Sequence, residues 1–384
     1  MSFSWSPQQA KALDDAARWH SECRAELLND SALSKPIFRL FGFAGTGKST
    51  LARHLADQAD TKTCYAAYTG KAAMVMRRNG CEGASTIHSA IYETTMDEDT
   101  GIASYIWDKD GPFSRAGLIV LDECSMIDAQ IGAEVLAYGR PVLVLGDPAQ
   151  LPPVRKDDGT GGGFFTEVEP DVMLTEIHRQ AEGNPIIQLA TAVREGRPLR
   201  AGQYGASAVI WRRDLREHHV MQADQLLVGK NATKDGYNAK IRKALGRKNN
   251  LPEIGERLVC IRNDKTKNIL NGEIFEVVET GKTKAYANGE IYLTIKSIDD
   301  AEKGDVRVTC RAECFNGRLK DLPFQALRGT QQFDFGYALT VHKSQGSQWG
   351  NVVLLDESAA FRDDARRFLY TGITRAADKI TICI

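Results

Sequence analysis

The chain has 384 residues, 42% hydrophobic and 26% charged, with a formal net charge of −1. That length holds two or three domains with ample cores, and the near-neutral balance excludes a uniformly basic nucleic-acid coat, so any cationic contacts must be gathered in a groove. No apolar run approaches the ~18 residues of a membrane span, and Met1–Pro7 lacks the charged start and apolar core of a signal peptide.

The eight cysteines are scattered, as reduced thiols of a cytosolic enzyme are. Cys310 and Cys314 have no second Cys/His pair at ligand spacing, so no zinc site is expected.

In chain order, the first apolar run, Ile37–Phe41, reads as a buried strand. It leads into Gly42-Phe-Ala-Gly-Thr-Gly-Lys-Ser-Thr50, a G-x-x-x-x-G-K-S pattern in a strand–loop–helix setting. Glycines at 42, 45 and 47 let backbone N–H groups turn inward around an anion. A helix starting near Lys48 points its positive end at the same place. Lys48 would reach the β- and γ-phosphates of a nucleotide and Ser49 would hold Mg²⁺.

The next strand, Thr63–Ala67, is followed by Tyr68-Thr-Gly-Lys-Ala-Ala73 and then Ser85-Thr-Ile-His88. These hydroxyls and cations suit sugar–phosphate contacts, but helix capping explains them equally well. Residues 94–111 are acidic and carry the turn signals Asp99-Thr-Gly101 and Asp110-Gly-Pro112, so a small hairpin excursion is expected there.

Leu118–Leu121 forms a further strand with Asp122 and Glu123 at its end. After a phosphate loop, Asp122 can hold Mg²⁺ through water and Glu123 can act as general base towards the attacking water. Val142–Leu145 then delivers Asp147 and Gln150 to the same edge. Gln150 can bond a γ-phosphate or its attacking water, or it can face solvent in an Asp-Pro turn; residue chemistry leaves both open. Arg179 and Arg375 are candidates for arginines reaching a nucleotide, although an arginine is more often a solvated surface charge.

A helix is expected over Asn184–Arg194, and strands over Gln225–Val228 and Arg257–Ile261. Alternating β segments follow at Ile274–Val278, Ile291–Ile298 and Val306–Thr309, with Asn271-Gly272 and Asn288-Gly289 as hairpin signals. The α/β rhythm returns at Tyr337–Val341, Val352–Leu355 and Ile380–Ile384. The loop Thr340-Val-His-Lys-Ser-Gln-Gly346 follows the first of these. The expected fold is therefore α/β, with parallel sheets bearing ligand loops at their strand ends.

Together these segments, with Ser6-Pro-Gln-Gln-Ala-Lys-Ala12, resemble in order and spacing the superfamily 1 helicases, in the RecD-like branch that includes the phage helicase Dda. The resemblance implies two tandem RecA-like P-loop domains. The first covers 1–183, with a pin excursion at about 92–115. The second covers 184–261 and 331–384, interrupted by an SH3-like β-barrel insertion over 262–330.

It implies ATP and Mg²⁺ held by Gln9 (on adenine), Gly42, Ala44, Gly45, Thr46, Gly47, Lys48, Ser49, Thr50, Asp122 and Gly346, with Lys48, Glu123, Gln150, Arg179 and Arg375 in catalysis. Single-stranded DNA would follow Thr69, Gly70, Lys71, Thr86, His88, Pro152, Thr340, His342 and Lys343, with Tyr105 and Trp107 as stacking residues of the pin. The implied activity is 5′ to 3′ translocation and unwinding at single-strand/duplex junctions. The implied setting is a monomer in a bacterial cell or a phage-infected host, with replication or recombination proteins as potential partners. A subunit of a nuclease–helicase complex and an RNA helicase remain alternatives, because backbone-directed loops do not settle the sugar. The chain stops just after its last expected strand, so no accessory C-terminal domain is expected.

Overall fold

The computed structural model describes residues 5–96, 103–152, 163–176, 183–264, 266–281 and 289–384. The first unit is built on a six-stranded, wholly parallel sheet in the order Ser85–Thr86, Thr63–Ala67, Leu118–Asp122, Val142–Gly146, Ile37–Gly42, Val172–Leu174. Its central strands are near-continuous apolar runs because helices cover both faces. One face packs Trp19, Phe38 and Leu51, and the other packs Phe41, Ile119, Val144 and Phe165. In this register Phe41 lies beside Gly146 and Ala67 beside Asp122. Gly42, Tyr68, Glu123 and Asp147 therefore emerge at one edge of the sheet.

The second sheet runs Ala338–Thr340, Gln225–Val228, Trp349–Leu355, Ala376–Cys383, Ser207–Ile210, Gly202–Tyr204, with only the last pair antiparallel. The helix Pro185–Arg194 packs against it; Asn184 caps its first turn, and Gly196, at φ 76°, follows its end.

A strand and a helix are among the elements that depart from the expected pattern. Arg257–Cys260, placed by its apolar run in the second α/β sheet, instead pairs antiparallel with Ile274–Thr280 and with Phe333–Phe335. It belongs to a five-stranded antiparallel sheet with Glu290–Ser297 and Val306–Arg311. Along Glu290–Ser297 the alternate residues Ile291, Leu293 and Ile295 are buried, as a half-covered strand requires. The helix Asn231–Ala244 is absent from the expected elements because it is polar almost throughout, and its buried residues are Asn238, Ile241 and Arg242.

The expected hairpin pairs Tyr92–Met96 with Ala103–Trp107. Among the described residues no helix is long and apolar enough to cross a membrane.

Arg242 locks the antiparallel sheet to the second unit. Its Nε and Nη2 donate to Glu256 Oε1 and Oε2 at 2.6 and 3.1 Å, and its guanidinium lies 3.9 Å from the centre of the Phe335 ring. Glu256 is wholly buried and also accepts from the Glu253 amide at 2.7 Å. Removing one partner of such a pair leaves an uncompensated buried charge. Glu256→Ala is therefore expected to lower unfolding stability by about 3–5 kcal/mol, read by chemical denaturation; a loss within 1 kcal/mol would show that Arg242 finds other partners.

Candidate functional site

The loop after Ile37–Gly42 turns on Gly45 and Gly47, at φ 80° and 81°. A Cβ on Gly42 would sit 2.6 Å from Thr46 Oγ1 and 2.8 Å from Leu174 Cβ, so the loop closes only without a side chain there. The helix Lys48–Gln58 starts with Gly47 as its cap and no side-chain cap bond, so its first amides stay available to an anion. Lys48 Nζ donates to the carbonyls of Gly42 and Phe43 at 2.6 and 3.2 Å, which stations the ammonium beside the loop. Thr50 follows Ser49 in the helix's first turn.

Gln9 is buried under this loop. Its Nε2 donates to the Thr46 carbonyl at 3.0 Å, and its Oε1 accepts from the Ser6 amide at 3.0 Å in a capping box.

Ser49 Oγ donates to Asp122 Oδ2 at 3.1 Å, bringing together a hydroxyl and a carboxylate oxygen that suit a hard cation such as Mg²⁺. Glu123 follows in the left-handed region, at φ 54°, a conformation that costs a non-glycine residue energy and clusters at functional sites. Burial pushes the Glu123 carboxyl up, Arg375 opposes this, and Asp122 adds to it. A carboxylate raised in this way is closer to the range in which it can take a proton from water.

Arg375 reaches the same place from the second unit. Its Nη1 is 3.9 Å from Glu123 Oε1. Nε donates to the Thr371 carbonyl, Nη1 to the Ser347 carbonyl and Nη2 to Thr374 Oγ1, at 3.1, 3.3 and 3.2 Å. Gln150 lies in the same cleft, buried, with an Oε1 that has no partner among the described residues. Ala44, Gly45, Ser49, Asp122, Glu123, Gln150, Gly346 and Arg375 all line this one interunit cleft. Gly346 sits at φ 73°, where a Cβ would lie 2.7 Å from Thr69 Oγ1 and 2.9 Å from Ala72 Cβ. Arg179 lies outside the described residues.

A second concavity collects the polar loops. Thr69, Gly70, Lys71, Thr86 and His88 line it from the first unit, and His342 and Lys343 from the second. Arg262, Asn263 and Asn271 of the segments around the antiparallel sheet complete it. Thr69 and Thr86 also cap helices, accepting from the Ala72 and Ser89 amides, both at 3.1 Å. Burial lowers the basicity of His88, His342 and Lys343.

Lys71 lines the groove but also has partners within the protein. It is buried, 2.9 Å from Asp299 Oδ1 and 4.5 Å from the centre of the Trp349 ring, so its charge is already engaged within the protein. Thr340 and Pro152 are not on the groove's lining. Thr340 Oγ1 accepts from the Lys343 amide at 3.3 Å, and Pro152 follows the buried Leu151.

A row of rings, Tyr68, His88, Tyr92 and Tyr105, runs from the groove onto the hairpin with centroid spacings of 5.8, 5.8 and 5.9 Å. Tyr105 is 62% exposed. Trp107, the other expected stacking residue, packs edge-on against Tyr138 at 5.3 Å and serves the hairpin's base.

The residues that sequence reasoning missed join the two units. Tyr370 accepts from the Ala44 amide at 2.9 Å and donates to Asp147 Oδ2 at 2.6 Å. Leu151 donates its amide to Thr371 Oγ1 at 2.8 Å and accepts from Gln345 Nε2 at 2.9 Å. The available signal was two hydroxyl residues side by side, Tyr370 and Thr371, in the otherwise apolar run 368–373.

Comparison with known proteins places these features in a family context. Residues 25–212 match the AAA domain family, and residues 335–383 match the UvrD-like helicase C-terminal domain. The ATP-dependent RecD2 DNA helicase of Deinococcus radiodurans is 30% identical across 94% of this chain, which spans only 48% of that relative's length. The RecBCD enzyme subunit RecD of Mycolicibacterium smegmatis is 25% identical, with 91% of this chain and 69% of the relative covered. In fold, the chain matches Bacteroides Pif1 bound to ssDNA with a TM-score of 0.57 and 16% identity, covering 99% of this chain and 92% of that one.

The opposing effects on Glu123 make a direct test. Arg375→Met removes the cation that holds its carboxyl down, so the Glu123 midpoint should move up in a carboxyl-¹³C titration. An unchanged midpoint would mean that Arg375 does not act on it.

Proposed function

From its place among the superfamily 1 helicases of the RecD/Pif1-like kind, to which the chain belongs, we propose that it is an ATP-driven motor on single-stranded DNA that unwinds duplexes from a 5′ tail. The observation that carries this reading is the segment 345–348. Gly346, Ser347 and Gln348 line the nucleotide cleft, while Gln345 and Ser347 line the groove. One short stretch of the second unit thus touches both ligands' places, and a shift at either can move the other.

In this mechanism Lys48, the loop amides and the start of the helix Lys48–Gln58 hold the phosphates of ATP, and Ser49 and Asp122 would hold Mg²⁺, which would neutralise phosphate charge there. Glu123 accepts the proton of the attacking water, and Gln150 positions that water or the γ-phosphate. Arg375, supplied by the second unit, neutralises charge developing on the transferred phosphoryl group only when the cleft is shut. Arg179 is assigned beside it by resemblance.

Alternate closing and opening would pass a strand along the groove, gripped by backbone-directed hydroxyls, amides and imidazoles and so without regard to sequence. We assign the hairpin as the strand-splitting pin with Tyr105 as its stacking ring, and the antiparallel sheet as the SH3-like insertion. The 5′ to 3′ direction rests on kinship with the RecD-like branch. Because a curated relative is a subunit of the RecBCD enzyme, action within a larger assembly is the second reading.

Purified protein assayed on partial duplexes with a 5′ or a 3′ single-stranded tail tests both. Unwinding of the 5′-tailed substrate alone is expected. Glu123→Gln should lose at least about 100-fold in ATP turnover while keeping single-strand affinity within a few fold. Unwinding from the 3′ tail only would overturn the directional assignment, and no unwinding by the isolated chain would favour the subunit reading.

A further inference from the structure

Tyr370 spends its hydroxyl in an unusual way. The ring belongs to the second unit's core with Phe368, Leu354 and Ile373, and only 2% of the residue is exposed. A buried tyrosine ordinarily finds a hydrogen-bond partner for its hydroxyl. Here both bonds cross to the first unit: the Ala44 amide of the phosphate loop donates to it, and it donates to Asp147. Burial, with the Asp147 carboxylate beside it, raises the phenol far above its ordinary value, so it remains a donor at every working pH.

The next residue repeats the connection, since Thr371 Oγ1 accepts from the Leu151 amide. The Thr371 carbonyl in turn accepts from Arg375 Nε at 3.1 Å. The helix Ala365–Ile373 is therefore pinned to the phosphate loop at one point, and it carries one of the three acceptors that hold the Arg375 guanidinium.

We propose that Tyr370 is a positioning residue for ATP hydrolysis, which sets Arg375 against the nucleotide by tying the helix Ala365–Ile373 to Ala44 and Asp147. The proposal rests on the ATPase reading above and names a residue that the reading does not require. The hydroxyl senses the phosphate loop directly, because any movement of the Ala44 amide alters one of its two bonds. Arg375 then follows the loop through the helix rather than through a contact of its own. Nucleotide binding depends chiefly on the first unit and does not need this tie; the hydrolytic step does.

The test is Tyr370→Phe, which keeps the ring and deletes the oxygen, assayed for ATP turnover with and without an oligodeoxythymidylate and compared with wild type. The expected result is a kcat at least about 10-fold lower with KM for ATP within about 2-fold, the pattern of an interaction made in the transition state. Adding Asp147→Asn to Tyr370→Phe should cost less than the two single losses combined, because both act on one hydrogen bond.

Thermal melting of Tyr370→Phe should stay well above the assay temperature. A kcat within about 2-fold of wild type would overturn the proposal. So would a lost turnover that merely tracks the unfolded fraction. If wild type turned over ATP without any response to DNA, the motor reading would fall, yet the Tyr370→Phe ratio would still decide the positioning role.

Discussion

The clasp of the second unit on the loop Asp147–Leu151 is the constraint from which the rest of the cleft follows. Leu151 leaves the first sheet and is buried in the second unit's core, among Val341, Tyr370 and Ile373. Burying such a side chain is worth roughly 1.5–3 kcal/mol. Its amide and carbonyl are each bonded by a side chain of the second unit, and unmaking either buried bond costs about 1–3 kcal/mol. The loop that carries Gln150 is thus held at both ends of one residue, and Gln150 lines the cleft with an Oε1 that has no partner among the described residues.

The nucleotide cleft is consequently a joint property of both units. The first supplies the glycine turns, Lys48, Ser49, Asp122 and Glu123, all at the carboxyl edge of one parallel sheet, where such a sheet presents its ligands. The second supplies Arg375, the segment 345–348 and Tyr370. Glu123, one of five described non-glycine residues in the left-handed region, lies where the chemistry is assigned. The groove is built the same way, from helix-capping threonines on one side and His342 and Lys343 on the other.

Much of the first sheet could be read directly from the chain, because its strands are short apolar runs ended by charge or glycine. Ile37–Gly42, Leu118–Asp122 and Val142–Gly146 each run one residue beyond the apolar stretch. What could not be read depends on distant partners. Arg257–Cys260 has the composition of any buried strand, and its sheet is chosen by Phe333–Phe335, far along the chain. Lys71 in a Thr-Gly-Lys turn has the chemistry of a phosphate ligand, but Asp299 and Trp349 meet it only in the folded protein. The helix Asn231–Ala244 hides its buried side behind Asn238 and Arg242, whose hydrogen bonds replace the usual apolar stripe. Tyr370 and Thr371 look like helix residues of ordinary polarity until their hydroxyls are followed across the interface.

The most direct measurement of the shared cleft separates nucleotide binding from hydrolysis when the second unit's cation is removed. For Arg375→Ala, single-turnover hydrolysis of ATP in the presence of single-stranded DNA should fall at least about 1000-fold, as the loss of an arginine that acts on the transferred phosphoryl group requires. ATP affinity, fixed mainly by the first unit, should change only a few fold. Turnover close to wild type would contradict a cleft completed by both units.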